Sequence, residues 1–335
     1  MNKRTMGSTG YQVTPLGIGT WGLGGGLWRD MEPRDAQRVL FRAVDAGLDF
    51  IDTALIYGDG LSETLVGEVV RELRARDWVV VASKVPPLDR HWPGDGQTAL
   101  ERVFPPEYVI RSVEQSLRNL RAEVVPIAQL HVWHDAWLQS TVWPDLRGAM
   151  EQCVRQGKVL HWGVSANSHD PDSVLELIAD PLIETVQVIY NIYDPSAEDA
   201  LLAAARQHRV GVIARCPFDE GALTGVLTRD TTFTPGDIRQ RYFAGERLVQ
   251  AVERARALDE LCGDEVVDLP ELALRFCLSQ PDVAVVIPGM RRDRHLFHNL
   301  AAASKGALSP AMRERLREHT WDKNWYLGLV DDRLS

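Results

Sequence analysis

The chain has 335 residues, 45% of them hydrophobic and 25% charged, enough for one large α/β core. A net charge of −10 argues against a nucleic-acid partner, which needs a basic face, and no apolar run approaches the roughly 18 residues that cross a bilayer. Met1-Asn2-Lys3-Arg4 lacks an apolar signal segment, and Cys153, Cys216, Cys262 and Cys277 show no CxxC or metal spacing, so a cytoplasmic protein with reduced thiols and no metal site is expected.

Arg4 to Val13 reads as a hairpin that turns at Gly7-Ser8-Thr9-Gly10. Leu16-Gly17-Ile18-Gly19 is the first strand and runs into the loop Thr20-Trp21-Gly22-Leu23-Gly24-Gly25-Gly26. Pro33 opens a helix that ends at Ala46, before Gly47. Its Ala36, Val39, Leu40, Ala43 and Val44 step by three and four and predict one buried stripe. Strand 50–54, helix 62–75 capped by Ser62, strand 79–83 and a long loop over 85–105 come next. The alternation continues with helix 107–120, strand 126–132, helix 143–156, strand 159–165, helix 171–179, strand 185–190, helix 198–207 and strand 210–215. A second long loop, 216–245, leads to helices 246–261 and 269–279, strand 283–288 and helix 292–303. Helix 309–319 and a tail with Trp321, Trp325 and Tyr326 close the chain.

Eight strand–helix units with near-continuous apolar strands predict a parallel sheet covered by helices. The expected fold is a single α/β domain over 1–335, a (β/α)8 TIM barrel with an N-terminal hairpin (4–13), long loops at one face and a C-terminal helix and tail (309–335). Gly17-Ile18-Gly19-Thr20-Trp21-Gly22 also matches the GxGxxG of a dinucleotide-binding Rossmann unit. That fingerprint needs its last glycine to open the helix, and here about ten residues separate Gly22 from Pro33, so the barrel is preferred.

In such a barrel the downstream strand ends converge on one mouth. Asp52 ends one predicted strand and Tyr57 follows in Leu55-Ile56-Tyr57-Gly58; Lys84 ends Val79-Val80-Val81-Ala82-Ser83, and His131 ends Ile127-Ala128-Gln129-Leu130. A tyrosine gives a proton to a carbonyl oxygen only if its acidity is brought toward neutrality, and an ammonium beside it would favour the phenolate. Asp52 would hold Lys84 charged, and His131 could hydrogen-bond the reacting oxygen.

With these residues the chain resembles the aldo-keto reductases. Asp49 to Gly58 is similar to the family's DTAxxYG segment, Ala82-Ser83-Lys84 to its lysine strand end, and Gln129-Leu130-His131 to its QxH segment. The resemblance implies the catalytic set Asp52, Tyr57, Lys84 and His131, with His134 as the rival for the fourth role. It extends over nearly the whole chain and implies a nicotinamide cofactor, NADPH in preference to NADH. Gly19, Thr20 and Trp21 would lie beside it, Ser165 or Asn167 of Gly163-Val164-Ser165-Ala166-Asn167 would meet its carboxamide with Gln187, and Tyr190 would stack on its ring. Arg215, Pro217, Phe218, Gly221, Leu223 and Gly225 resemble the loop over its pyrophosphate, with Cys216, Phe218 and the pair Asp219-Glu220 departing from the common form. Gly289, Arg291, His295 and Asn299 take the place of residues that hold the adenosine end; Arg291, His295 and Asn299 share one helix face by their i, i+4, i+8 spacing. The implied activity is reduction of an aldehyde or ketone, a small-molecule carbonyl partner, by hydride transfer with Tyr57 as general acid. The alternative is an NADP-binding redox-sensing regulatory protein.

Overall fold

The computed structural model describes residues 1–327, so the part of the expected tail beyond Leu327 lies outside the described residues. The hairpin strands β1 (Arg4–Thr5) and β2 (Gln12–Val13) pair antiparallel. Then come β3 (Ile18–Gly19), α1 (Pro33–Asp45), β4 (Phe50–Asp52), α2 (Leu61–Glu72), β5 (Val80–Val85), α3 (Leu100–Val103), α4 (Pro106–Leu120), β6 (Val125–Leu130), α5 (Trp143–Arg155) and β7 (Val159–Ser165). The second half holds β8 (Ile183–Ile189), α6 (Leu201–His208), β9 (Gly211–Arg215), α7 (Arg239–Tyr242), α8 (Arg247–Asp259), α9 (Leu269–Leu278), β10 (Val283–Val286), α10 (Asp293–Ser304) and α11 (Pro310–Arg317).

Strands β3 to β10 lie side by side in chain order, each parallel to the next. The two edges then meet. Gly17 N donates to Val286 O at 2.9 Å, Gly19 N to Pro288 O at 3.1 Å, and Pro15 O accepts from Val286 N at 2.9 Å. The eight-stranded sheet thereby closes on itself as the expected (β/α)8 barrel. Gly19 is required at this seam, since a Cβ there would lie 2.8 Å from Ile287 O.

The strands alternate between two cores. Phe50, Val80, Ala82, Ile127, Ile213 and Val285 fill the barrel interior, and Met6 and Val13 from the hairpin join them at the end where the strands begin. Arg4 fastens this plug by donating to Leu278 O at 2.5 Å, Val283 O at 2.6 Å and Gln280 O at 3.2 Å. The outer core lies between strands and helices and takes the predicted stripe of α1, Ala36 to Val44.

Two local expectations are corrected. Ser62 does not cap α2; Gly60, in the left-handed region at φ 90°, holds that position, and Ser62 lies buried inside the first turn. Residues 171–179 form two short 3-10 turns, Pro171–Val174 and Leu177–Ala179, in place of a helix. The Asp135 carboxylate accepts the backbone N–H groups of Glu176 at 2.6 Å and Leu177 at 3.2 Å, donors that an α-helix would have used internally.

If the hairpin is a structural plug, Met6→Ala removes a fully buried side chain from the interior core. A loss of about 2–5 kcal/mol of stability is expected. Denaturant titration that shows less than about 1 kcal/mol would place the hairpin outside the cooperative core.

Candidate active site

The parallel register brings the polar strand ends to one level: Asp52 lies beside Ala82, Lys84 beside Gln129, and Ser165 beside Gln187. Lys84, whose side chain has no exposed surface, donates to Asp52 Oδ1 at 2.5 Å, to Thr53 O at 2.7 Å and to Tyr57 Oη at 3.3 Å. Its ammonium also stands 4.9 Å from the Tyr57 ring centroid. The other Asp52 oxygen accepts from Gln187 Nε2 at 2.7 Å. The ring of His131 meets Tyr57 edge-on at 5.7 Å and Trp92 at 5.5 Å. His134 points elsewhere and accepts the Ala136 N–H. Geometry therefore joins His131 to Asp52, Tyr57 and Lys84.

Burial sets the charges here. The Tyr57 phenol is pushed well above its ordinary range, by burial first and then by Asp52, while Arg215 opposes the rise. The expected lowering toward neutrality is not met, because desolvation of a phenolate dominates and the nearest ammonium, that of Lys84, is already paired with Asp52. Lys84 is itself lowered by burial, against the raising effect of Asp52. His131 is held far below the usual imidazole range, by burial first and then by Lys84 and Arg215, so its ring is neutral at physiological pH.

A cavity of about 1890 Å³ opens over this group. Asp52, Tyr57 and His131 reach it, together with Gly19, Trp21, Ser165, Asn167, Gln187, Arg215, Pro217, Phe218, Gly221, Gly289, Arg291, His295 and Asn299. Four residues expected around a cofactor lie off the cavity lining. Tyr190 has no exposed surface, stacks on Phe276 at 5.3 Å and donates its hydroxyl to Glu198, so it is placed away from any ring in the cavity. Leu223 is in the outer core, Gly225 ends the 3-10 turn Asp219–Thr224, and Thr20 lies below the floor, bonded to Asp52 O and Ser62. Asn167 is engaged on both sides by Gly94, accepting from its N–H at 2.8 Å and donating to its carbonyl at 3.1 Å, which leaves Ser165 the freer of the two carboxamide candidates.

Elsewhere on the cavity wall Arg291, Arg292, Arg294 and His295 gather at the start of α10, and the buried Arg291 Nε and Asn299 Nδ2 have no hydrogen-bond partner among the described residues. Orphaned donors beside guanidinium groups at a helix start fit a phosphate-bearing ligand. Among the described residues no cluster fits a metal ion.

Several lining residues carried no signal in the sequence. Arg239 grips Asp237 through two bonds at 2.8 and 2.7 Å and lies over Trp28 at 4.4 Å, while Ile238 N donates to Leu27 O, so the loop between β3 and α1 touches the long loop after β9 across the cavity. The departing pair Asp219-Glu220 is held by the tail: Lys323 Nζ donates to Asp219 at 2.8 Å and the Tyr326 hydroxyl donates to Glu220.

A neutral buried His131 makes stability depend on pH with a definite sign. Its folded affinity for protons is below the unfolded one, so the unfolded chain binds more protons as pH falls below about 6.5, and stability is lost from there downward. The contribution is up to about 1.4 kcal/mol per pH unit. Urea titrations between pH 7 and 5 should show this slope reduced in His131→Gln; equal slopes would mean that His131 titrates freely in the folded protein.

A family model described as the aldo/keto reductase family matches residues 15–320. Among similar proteins, aldo-keto reductase YhdN of Bacillus subtilis is 28% identical over 88% of this chain and 87% of its own. An NADH-specific methylglyoxal reductase of Escherichia coli is 27% identical over 95% of this chain and 98% of its own. An aldo-keto reductase of Bacillus halodurans, solved in its holo form, has the same fold at a TM-score of 0.74, with 22% identity and 96% of each chain covered. With its closed barrel, its buried lysine–aspartate pair under a tyrosine and a match over residues 15–320, this chain belongs to the aldo/keto reductase family, whose members are oxidoreductases acting on carbonyl compounds.

Proposed function

We propose that the chain reduces an aldehyde or ketone to an alcohol with NADPH, Tyr57 acting as general acid. The observation that carries this reading is the buried Lys84 ammonium, fixed on Asp52 at 2.5 Å and aimed at the hydroxyl of Tyr57, which lines the large cavity, at 3.3 Å. When bound, the nicotinamide cofactor supplies the hydride. Burial keeps the Tyr57 phenol protonated at neutral pH, the form an acid needs. As that proton leaves, the Lys84 hydrogen bond stabilises the phenolate oxygen, and Asp52, steadied by Gln187, keeps the ammonium from following it. Neutral His131 contributes a polar ring edge toward the same oxygen without competing for the proton.

The preference for NADPH rests on Arg291 and its neighbours. Its guanidinium now donates to Arg29 O and leaves Nε unused, and a 2′-phosphate offers it a charged partner in place of a neutral one. The NADH-specific relative in Escherichia coli makes this the point to test.

Tyr57→Phe removes one hydroxyl and little volume, so cofactor affinity should persist while turnover falls ~10²–10⁴-fold. Steady-state rates within about threefold of wild type would remove Tyr57 from the acid role. Arg291→Ala should weaken NADPH by about ten- to a hundredfold and leave NADH nearly unchanged. Fluorescence titration of both cofactors, repeated with Arg291→Ala/Arg294→Ala, checks this. A constant NADPH/NADH ratio in the double variant would move the phosphate site away from the start of α10.

A further inference from the structure

Beneath the Tyr57 loop lies a carboxylate that the proposed reaction does not use. Glu63, in the first turn of α2, has 0% exposure. Ser83 Oγ donates to its Oε1 at 2.5 Å and Asn119 Nδ2 to its Oε2 at 2.7 Å, and among the described residues it forms no ion pair. Burial pushes the Glu63 carboxyl up, and the donors from Ser83, Asn119 and Ser116 and then the Lys84 charge oppose that rise. The charge it faces is that of Lys84, the residue after Ser83 on β5.

The surroundings make this a brace for the reacting group. On the same turn of α2, Ser62 bonds the hydroxyls of Thr20 at 2.6 Å and Thr53 at 2.8 Å, and Thr53 O accepts from Lys84. Ser62 thereby holds the end of β4 while Glu63 holds that of β5. Asn119 also fills the space over Gly60, where a Cβ would lie 2.5 Å from its Nδ2, so α4, the exit of the Tyr57 loop and Glu63 share one contact. The charged and titratable groups facing Lys84 are Asp52 from β4, Tyr57 from the following loop, His131 after β6, Arg215 from β9 and Glu63 from α2; Glu63 faces Lys84 with the neutral Ser83, Ser116 and Asn119.

We propose that Glu63 is a positioning residue of the Lys84 site: through Ser83 it fixes the end of β5 where Lys84 meets Asp52, and it adds a second buried negative charge to the one that Asp52 brings. The catalytic consequence rests on the carbonyl-reductase reading; the electrostatic one does not.

The test reads Lys84 directly. The chain has five lysines, so selective ¹⁵N-lysine labelling gives a short spectrum in which Lys84→Met identifies the buried ammonium. In Glu63→Gln the Lys84 titration should fall by about one pH unit. The alkaline limb of kcat should move down with it, cofactor Kd staying within about twofold. Ser83→Ala keeps the carboxylate but cuts the link, and should lower kcat with a smaller shift of the Lys84 titration. An unmoved Lys84 titration in a folded Glu63→Gln protein overturns the proposal and leaves Glu63 a packing residue. If Glu63→Gln does not fold, Ser83→Ala decides: unchanged kcat with an unchanged Lys84 resonance overturns it. Should wild type turn over no carbonyl compound, the functional reading fails, while the Lys84 titration still reports whether Glu63 acts on it.

Discussion

Everything at the barrel mouth depends on keeping one ammonium charged where no water reaches it. An isolated lysine in such a place sheds its proton, because the cost of desolvating the cation exceeds what the group can recover alone. Here two strands work against that tendency. β4 brings Asp52 into direct contact, β8 brings Gln187 to occupy the second carboxylate oxygen, and the Thr53 carbonyl gives the ammonium its second partner. Pairs of this kind seldom add net stability over apolar packing. Their value is that the ammonium has a single place to be, and its remaining hydrogen bond goes to Tyr57.

Much of this was legible in the chain. Acid, tyrosine, lysine and histidine stand at the ends of successive apolar runs, and a parallel barrel has one geometry for such ends, so Asp52, Tyr57, Lys84 and His131 converge as expected. The eight-unit alternation was equally readable, because its period rests on local burial. The misses have physical causes. Tyr190 looked like a ring-stacking residue, but it lies beyond the end of β8 and turns outward onto Phe276. The 171–179 segment has helical composition, yet Asp135, some 40 residues away, takes its donors. The grip of Lys323 and Tyr326 on the Asp219-Glu220 turn spans more than a hundred residues and has no local signature. The acidity of Tyr57 was misjudged because a sequence shows the neighbouring charge and hides the desolvation.

The loops divide the labour differently from the strands. Strand ends fix the reacting groups through backbone register, whereas the cavity's outer walls are built by loop segments held mainly through side-chain contacts, among them Arg291 on Arg29 O and Tyr242 on Asp219. The 22–31 and 230–243 stretches meet through Leu27, Arg29, Asp237 and Arg239, and the second also carries Arg239 over Trp28. A ligand's reacting end and its distant end are therefore governed by elements of unequal stiffness, and changes in selectivity can accumulate in the loops without disturbing the lysine.

The hairpin plug has a consequence in time as well as in space. Arg4 donates to Gln280, a separation of 276 residues, and the barrel seam between Gly17 and Val286 is nearly as distant in sequence. During synthesis at about 5–20 residues per second, the first strands wait roughly 15 to 55 s for the partners that cover their edge and their floor. For that interval one edge of β3 lacks its partner, and an open strand edge is the form of chain most prone to join a neighbour. A nascent chain of this design thus carries an uncovered edge of β3 and an unplugged floor until β10 emerges, and that wait is the price of closing a barrel between strands so distant in sequence.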